Sequence, residues 1–108
     1  MGWLVRDNEV LSSLQIADSR SARRRGLLGR TSFDEAMYFP KTRSVHTFGM
    51  KFDLDVAFVD EQLTVVRLVE LRPGKITRPV VGAAGVIEAQ AGTFREWNLA
   101  VGDVLEIH

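Results

Sequence analysis

Cysteine is absent from this chain of 108 residues, and histidine and proline occur only two and three times. Without thiols there is no disulfide, no thiolate nucleophile and no cysteine-bound metal. The two imidazoles, His46 and His108, are few for a zinc site. A Ser-His-Asp order, a phosphate-binding loop and a glycine-rich nucleotide fingerprint are also missing. We therefore predict no cofactor, no bound metal and no recognisable catalytic motif.

An excess of either charge is missing too, since 14 basic residues balance 14 acidic ones. No global field attracts nucleic acid or an anionic membrane, so any electrostatic attraction must be local. No apolar run approaches the roughly 20 residues that span a bilayer. The N-terminal residues lack the basic and then apolar order of a secretory signal. We expect a cytoplasmic protein that binds a small ligand or a protein rather than a membrane or nucleic acid.

The residues that are present form the composition of an ordinary globular domain, with 45% hydrophobic and 26% charged residues. A chain of this length supports one hydrophobic core, so we predict a single domain over residues 1–108. Gly2–Arg6 and Val10–Ala17 have strand patterns and flank Asp7-Asn8, a pair suited to a tight turn. These stretches predict an opening β-hairpin.

Turn residues separate several further strand-like stretches along the chain. Thr93 and Glu96 have the spacing of a capping box, which predicts a helical turn over residues 93–98. Six or seven short strands with little helix are typical of a mainly β domain. We predict an antiparallel β-sandwich or a barrel-like sheet.

Arginine is concentrated in one short stretch. Residues 19–28 are rich in helix formers and precede Gly29, which predicts a short α-helix. Five arginines lie in this stretch or just after it: Arg20, Arg23, Arg24, Arg25 and Arg30. Guanidinium binds phosphate and carboxylate bidentately, so Arg23, Arg24 and Arg30 are candidate anion-binding or RNA-binding residues. A solvated helix face is the favoured interpretation, because charge runs are usually exposed.

The stretch from Ser44 to Asp60 is chemically the richest part of the chain. Leu54, Val56 and Phe58 alternate with Asp55, Ala57 and Val59, which predicts an internal strand. If residues 51–53 form a tight connection, this strand pairs with residues 46–50. That register sets His46, Phe48 and Met50 on one face and places Gly49 opposite Asp55.

Four motifs in this order resemble the uncharacterised prokaryotic family called domain of unknown function 192. They are RRRGLLGR (residues 23–30), VHTFGMKFDLDVAFVD (residues 45–60), GVIEAQAG (residues 85–92) and VGD (residues 101–103). The resemblance implies a compact, mainly β fold of sandwich type without an established catalytic activity. The resemblance also implies a departure: many family members carry tryptophan at the position of Gly49 and a proline near the position of Asp53, where this chain has none. If that tryptophan lines a pocket in the family, the pocket of this chain is differently shaped.

The candidate pocket comprises His46, Thr47, Gly49, Met50, Lys51, Asp55 and Glu88. An acid–base or metal site would need His46, Asp55 and Glu88 to converge. Structural roles are favoured for all three. A lone histidine on an apolar face is usually a hydrogen-bonded core residue. Asp55 can form a salt bridge with Lys51, and Glu88 can pair with an arginine of the predicted helix.

Three functions are consistent with these residues. We favour a non-enzymatic ligand-binding or protein-assembly module that uses Val45–Met50 and the loop Lys75–Gly82. The alternative is a hydrolase or metal-dependent enzyme using His46, Asp55 and Glu88. The second alternative is anion or RNA binding by the cluster from Arg20 to Arg30.

Overall fold

The computed structural model describes residues 2–17 and 29–108. In these residues the chain forms seven β-strands and one short helix. The elements are β1 (Gly2–Arg6), β2 (Glu9–Ile16), β3 (Ala36–Pro40), β4 (Leu54–Val59), β5 (Val65–Leu71), β6 (Gly85–Gln90), α1 (Thr93–Glu96) and β7 (Glu106–Ile107). The prediction of a mainly β domain is confirmed. The predicted helix over residues 19–28 lies outside the described residues.

All seven strands belong to one curled sheet, a half-barrel with the order β5-β4-β6-β3-β2-β1-β7. Neighbouring strands run antiparallel except β2 and β3, which are parallel. The segment before β7 reaches back to the start of β5 through a bridge between Thr64 and Val104. The Leu105 amide also donates to the Leu63 carbonyl at 3.0 Å. The C-terminal segment thus connects the two edges of the sheet.

The first two strands form the hairpin that the sequence predicts. β1 pairs antiparallel with β2, and Arg6 lies opposite Glu9. Asp7 and Asn8 both have positive φ angles, 52° and 66°. Aspartate and asparagine tolerate this left-handed conformation, which a two-residue hairpin turn requires.

Two apolar clusters cover the two faces of the sheet. The inner cluster draws side chains from every strand and from α1, including Leu14, Ala57, Ile87 and Trp97. The outer cluster lies under the loops, and its strand residues include Phe39, Val56, Phe58 and Val86. β4 is buried at all six positions because both of its faces and both of its edges are covered.

The predicted pairing of β4 with residues 46–50 is wrong. β4 pairs with β5 on one edge and with β6 on the other, so no edge remains for a third strand. Asp55 therefore lies opposite Glu70 and Ala89, not opposite Gly49. The alternating apolar residues of 46–50 reflect packing over the outer face: Met50 is buried in the outer cluster, whereas Phe48 is 52% exposed.

The helical turn predicted near residues 93–98 is present as α1, but its predicted capping box is not. Gly92, with a φ of 98°, occupies the N-cap position, and no side chain of the helix itself caps it. The carboxylate of Asp55 on β4 supplies the cap. Its Oδ2 accepts the amides of Gly92 at 2.9 Å and Phe94 at 3.0 Å. The cap fixes α1 against the sheet and gives Asp55 a structural role.

Candidate functional site

Two irregular segments, residues 43–48 and 72–81, lie side by side over the outer face; we call them together the surface layer. His46 and Ile76 form an antiparallel bridge. Backbone hydrogen bonds continue on both sides of this bridge. The Thr47 amide donates to the Lys75 carbonyl at 2.8 Å, and the Thr77 amide donates to the Val45 carbonyl at 2.8 Å. Further along, the Val80 amide donates to the Arg43 carbonyl at 2.9 Å. The layer is therefore a fixed structure although it contains no regular strand.

Thr47 holds the centre of the surface layer and is fully buried. Its hydroxyl donates to the Arg72 carbonyl at 2.6 Å and accepts the Lys75 amide at 2.9 Å. The Thr47 carbonyl accepts the amides of Gly74 at 2.9 Å and Met50 at 3.2 Å. One threonine thus joins the two segments through both its side chain and its backbone.

The surface layer holds three large apolar side chains in solvent. Phe48 is 52% exposed, Ile76 68% and Val81 88%. The ring of His46 stacks on Phe48 with a centroid distance of 5.1 Å and an interplanar angle of 24°. Because His46 also bridges Ile76, the residues Phe48, His46 and Ile76 are neighbours in the layer, and we call them the apolar patch.

A groove of about 560 Å³ borders the layer. One side is formed by β4 and β5 residues, Phe58, Val66, Arg67 and Val69, and the other by residues 77–81. Its size lies within the usual range for small-ligand sites, about 300 to 1,000 Å³. Across the described part of the chain, no carboxylate forms an ion pair with Arg67 or with Arg78, which also lines the groove. Two guanidinium groups thus remain available in a mostly apolar groove.

Five residues of the candidate pocket fall in or beside the surface layer. His46 is half-buried in the layer and Thr47 is fully buried, whereas Gly49 and Lys51 are exposed. Gly49 has a φ of 81° and lies in the turn that the hydrogen bond from Met50 to Thr47 closes. Met50 packs into the outer cluster.

The other two candidate pocket residues lie on opposite faces of the sheet. Asp55 is paired in register with Ala89, a residue of the inner cluster. Glu88 is paired with Val56 and Met37, which belong to the outer cluster. Residues paired across a sheet point to the same face, so the two carboxylates are separated by the sheet itself. A shared acid–base or metal site of Asp55 and Glu88 is thereby excluded.

Asp55 forms no salt bridge with Lys51 but caps α1 through its two amide contacts. Glu88 is buried to 1% exposure on the outer face. Whether it pairs with an arginine of residues 23–30 stays a prediction, because most of that stretch lies outside the described residues. No group of three or more metal-ligating side chains occurs in residues 2–17 and 29–108.

The arginine cluster is represented in the structure by Arg30 alone. Its guanidinium lies 5.9 Å from the centre of the Phe33 ring, a cation–π contact. Arg23 and Arg24 fall outside the described residues, so anion or RNA binding by this cluster remains a prediction. Within the same described ranges, no helix is long and apolar enough to cross a membrane.

The binding surface predicted from the sequence, Val45–Met50 with the loop Lys75–Gly82, includes Ile76 but not Arg67 or Arg72. The available signal was the basic character of the loops on either side of β4 and β5. Joining these loops requires the bridge between His46 and Ile76, and irregular segments carry no periodicity that predicts such a contact.

Comparison with known families matches residues 3–107 to the family model domain of unknown function 192, described as Uncharacterized ACR. A UPF0127 protein from Thermococcus sibiricus is 33% identical over 99 residues, covering 86% of this chain and 64% of that protein. A UPF0127 protein from Pyrococcus abyssi is 30% identical over 114 residues, covering 98% of this chain and 97% of that protein. The chain thus spans less than two thirds of the Thermococcus relative and nearly all of the Pyrococcus one.

Two solved structures share the fold. A protein of unknown function from Novosphingobium aromaticivorans superposes with a TM-score of 0.79 and 19% identity, covering 98% of this chain and 84% of that chain. A putative transcription regulator from Sinorhizobium meliloti superposes with a TM-score of 0.76 and 26% identity, covering 98% of this chain and 91% of that chain. The curled sheet is therefore an architecture that diverged sequences share.

Proposed function

The chain belongs to the family called domain of unknown function 192, and we propose that it is a non-enzymatic binding module whose binding surface is the surface layer. One observation carries the proposal. A layer that is fixed by hydrogen bonds holds Phe48, Ile76 and Val81 exposed beside a groove of about 560 Å³. Exposed apolar groups gathered on one surface are typical of binding sites.

The fixed backbone of the layer supports binding over a folding role. A segment that needs only to cover the outer cluster would bury its apolar side chains, as Val45 and Met50 do. Phe48, which lies between Val45 and Met50 in the chain, is exposed instead, and so is Ile76 on the facing segment. A preformed surface loses little conformational entropy when a ligand binds, which favours affinity.

The positions of the acidic residues support a non-enzymatic role. The catalytic alternative requires His46, Asp55 and Glu88 in one cleft, but Asp55 and Glu88 lie on opposite faces of the sheet. Asp55 is also engaged by the two amides of α1.

A thermal-shift panel tests the proposal. The ligands are mononucleotides, oligosaccharides, dicarboxylates, poly-glutamate and oligonucleotides, each measured with the wild type and with Ile76→Ser. At least one ligand class should raise the Tm of the wild type, because ligands that bind only the folded state stabilise it. The increase should be lost in Ile76→Ser, which removes an exposed apolar side chain of the patch.

Val101→Ser is the matched control, since Val101 is 61% exposed and lies outside the surface layer, compared with 68% for Ile76. This variant should keep the full ligand-induced increase in Tm. The proposal is wrong if no ligand of the panel raises the Tm, or if the two variants respond alike.

A further inference from the structure

Charge is strongly segregated in this neutral chain. The surface layer and its flanks, residues 41–51 and 67–81, carry seven of the ten basic residues that the structure describes and only one of the thirteen described acidic residues. We call these two segments the basic surface. All seven cations are exposed: Lys41, Arg43, Lys51, Arg67, Arg72, Lys75 and Arg78.

The single carboxylate of the basic surface points away from the layer. Glu70 lies opposite Asp55 in the β4–β5 register, and Asp55 faces the inner side of the sheet. Arg67 lies opposite Phe58, whose side chain belongs to the outer cluster beneath the groove. Within these two segments, the one carboxylate is thus absent from the side on which the groove lies, whereas Arg67 is present there.

The basic surface also contains an exposed aromatic ring. Phe48 is stacked on His46 and half-exposed. Lys51 follows it by three residues, and Lys75 precedes its neighbour Ile76. Basic grooves with exposed aromatic rings are the usual way in which proteins bind single-stranded nucleic acid, because phosphates meet cations while bases stack on rings.

We infer that the basic surface binds single-stranded nucleic acid, with the phosphate backbone along the groove between Arg67 and Arg78 and a base stacked on Phe48. This inference rests on the proposed binding role of the surface layer and names its ligand class. It concerns residues other than the arginine cluster at residues 20–30.

The shape of the site favours a nucleic-acid strand over a lipid surface as its ligand. The groove between β5 and residues 77–81 is concave, and a concave site is complementary to an extended strand rather than to a flat bilayer. The two segments of the layer are also joined to each other by hydrogen bonds rather than projecting as a free apolar loop. An acidic peptide shares the charge of a nucleic acid but lacks flat bases that stack on Phe48.

Fluorescence anisotropy with labelled 20-nucleotide oligo-U and oligo-dT tests the inference. The wild-type protein should bind both strands, and the affinity should fall as salt rises, with a logarithmic slope of about −2 if roughly three phosphates are contacted. The double variant Lys75→Glu/Arg78→Glu should bind at least about tenfold more weakly and with a shallower salt slope. Phe48→Ala should weaken binding about fivefold or more through lost stacking.

Two matched variants serve as controls. Arg95→Glu reverses an exposed cation on α1, and Trp3→Ala removes an aromatic ring that is 51% exposed on β1, close to the 52% of Phe48. Both should bind the strands as the wild type does. Equal losses in the controls and in the basic-surface variants would overturn the inference.

Vesicles containing phosphatidylserine and a poly-glutamate peptide are measured in parallel. Binding of either one, with no binding of the oligonucleotides at 50 mM salt, overturns the nucleic-acid inference. If that binding is lost in Lys75→Glu/Arg78→Glu, the proposed binding role of the layer survives. Absence of binding to all of these probes, together with no response in the thermal-shift panel, overturns both.

Discussion

Asp55 shows how one residue can suggest chemistry and serve the fold. A carboxylate on a buried strand near a histidine resembles a catalytic acid in the sequence. In the structure it accepts the amides of Gly92 and Phe94, two donors that a helix start leaves without intrahelical partners. Asp55 on β4 thus provides the side-chain cap that the residues of α1 do not supply.

Asp55→Ala should destabilise the protein by about 3 kcal/mol, because two amides near the start of α1 lose a charged acceptor. Asp55→Asn should lower the unfolding free energy by less than Asp55→Ala does, since the amide oxygen of asparagine can still accept a hydrogen bond. Urea unfolding measures both values. Asp53→Ala is the control, as no hydrogen bond of the Asp53 side chain occurs among the described residues. An equal loss in Asp53→Ala would contradict the capping role.

Tyr38 is the chain's only tyrosine, and burial raises the pKa of its phenol above the usual value near 10. The folded state therefore keeps the proton to a higher pH than the unfolded state does. The contribution of Tyr38 to stability should be constant below about pH 10 and fall as pH rises through the interval between the two pKa values. Absorbance at 295 nm should show a higher midpoint in the native protein than in urea. Coincident midpoints would contradict the effect of burial.

The elements divide into those that local sequence predicts and those that it does not. The β1–β2 hairpin is correctly predicted because Asp7 and Asn8 encode the turn next to the strands that they join. The strands that pair with β4 are not predicted correctly, because a strand that is buried at all six positions gives no signal of which strands lie at its two edges. An apolar alternation in residues 46–50 then mimics a strand although these residues form a cover over the outer face.

The surface layer depends on the hydroxyl of Thr47, and Thr47→Val removes it with little change in volume. The Arg72 carbonyl and the Lys75 amide would each lose a partner. We expect a loss of about 1 to 3 kcal/mol in unfolding free energy and faster hydrogen exchange at the amides of Gly74 and Lys75.

Thr42→Val is the control for this variant. Thr42 is also buried, at 5% exposure, but its hydroxyl donates only to the nearby Pro40 carbonyl at 3.0 Å. Thr42→Val should lower the unfolding free energy by less than Thr47→Val does, and it should leave amide hydrogen exchange in residues 72–75 unchanged. Wild-type exchange rates in Thr47→Val would show that the two segments do not depend on this threonine.

At the scale of the whole molecule, composition conceals the main electrostatic feature. Equal numbers of acidic and basic residues predict no net electrostatic field around the protein, so any attraction of a charged ligand must come from a local group of charges. Folding places residues 41–51 beside residues 67–81 and so brings two segments that together carry seven exposed cations next to each other. The fold class follows from strand patterns. The sequence also indicates Val45–Met50 and the loop Lys75–Gly82 as binding segments, but the contact between them and the addition of Arg67 follow from tertiary structure.

The central claim is that the surface layer, and not the acidic residues of the sheet, forms the functional site. Amide chemical-shift mapping by NMR during titration with oligo-U tests it most directly, because it locates binding residue by residue. The largest shifts should fall in residues 43–48 and 72–81 and at Arg67 beside the groove. No shifts at all would overturn the nucleic-acid inference, and shifts centred on Asp55 and α1 or on Arg30 would contradict the claim itself.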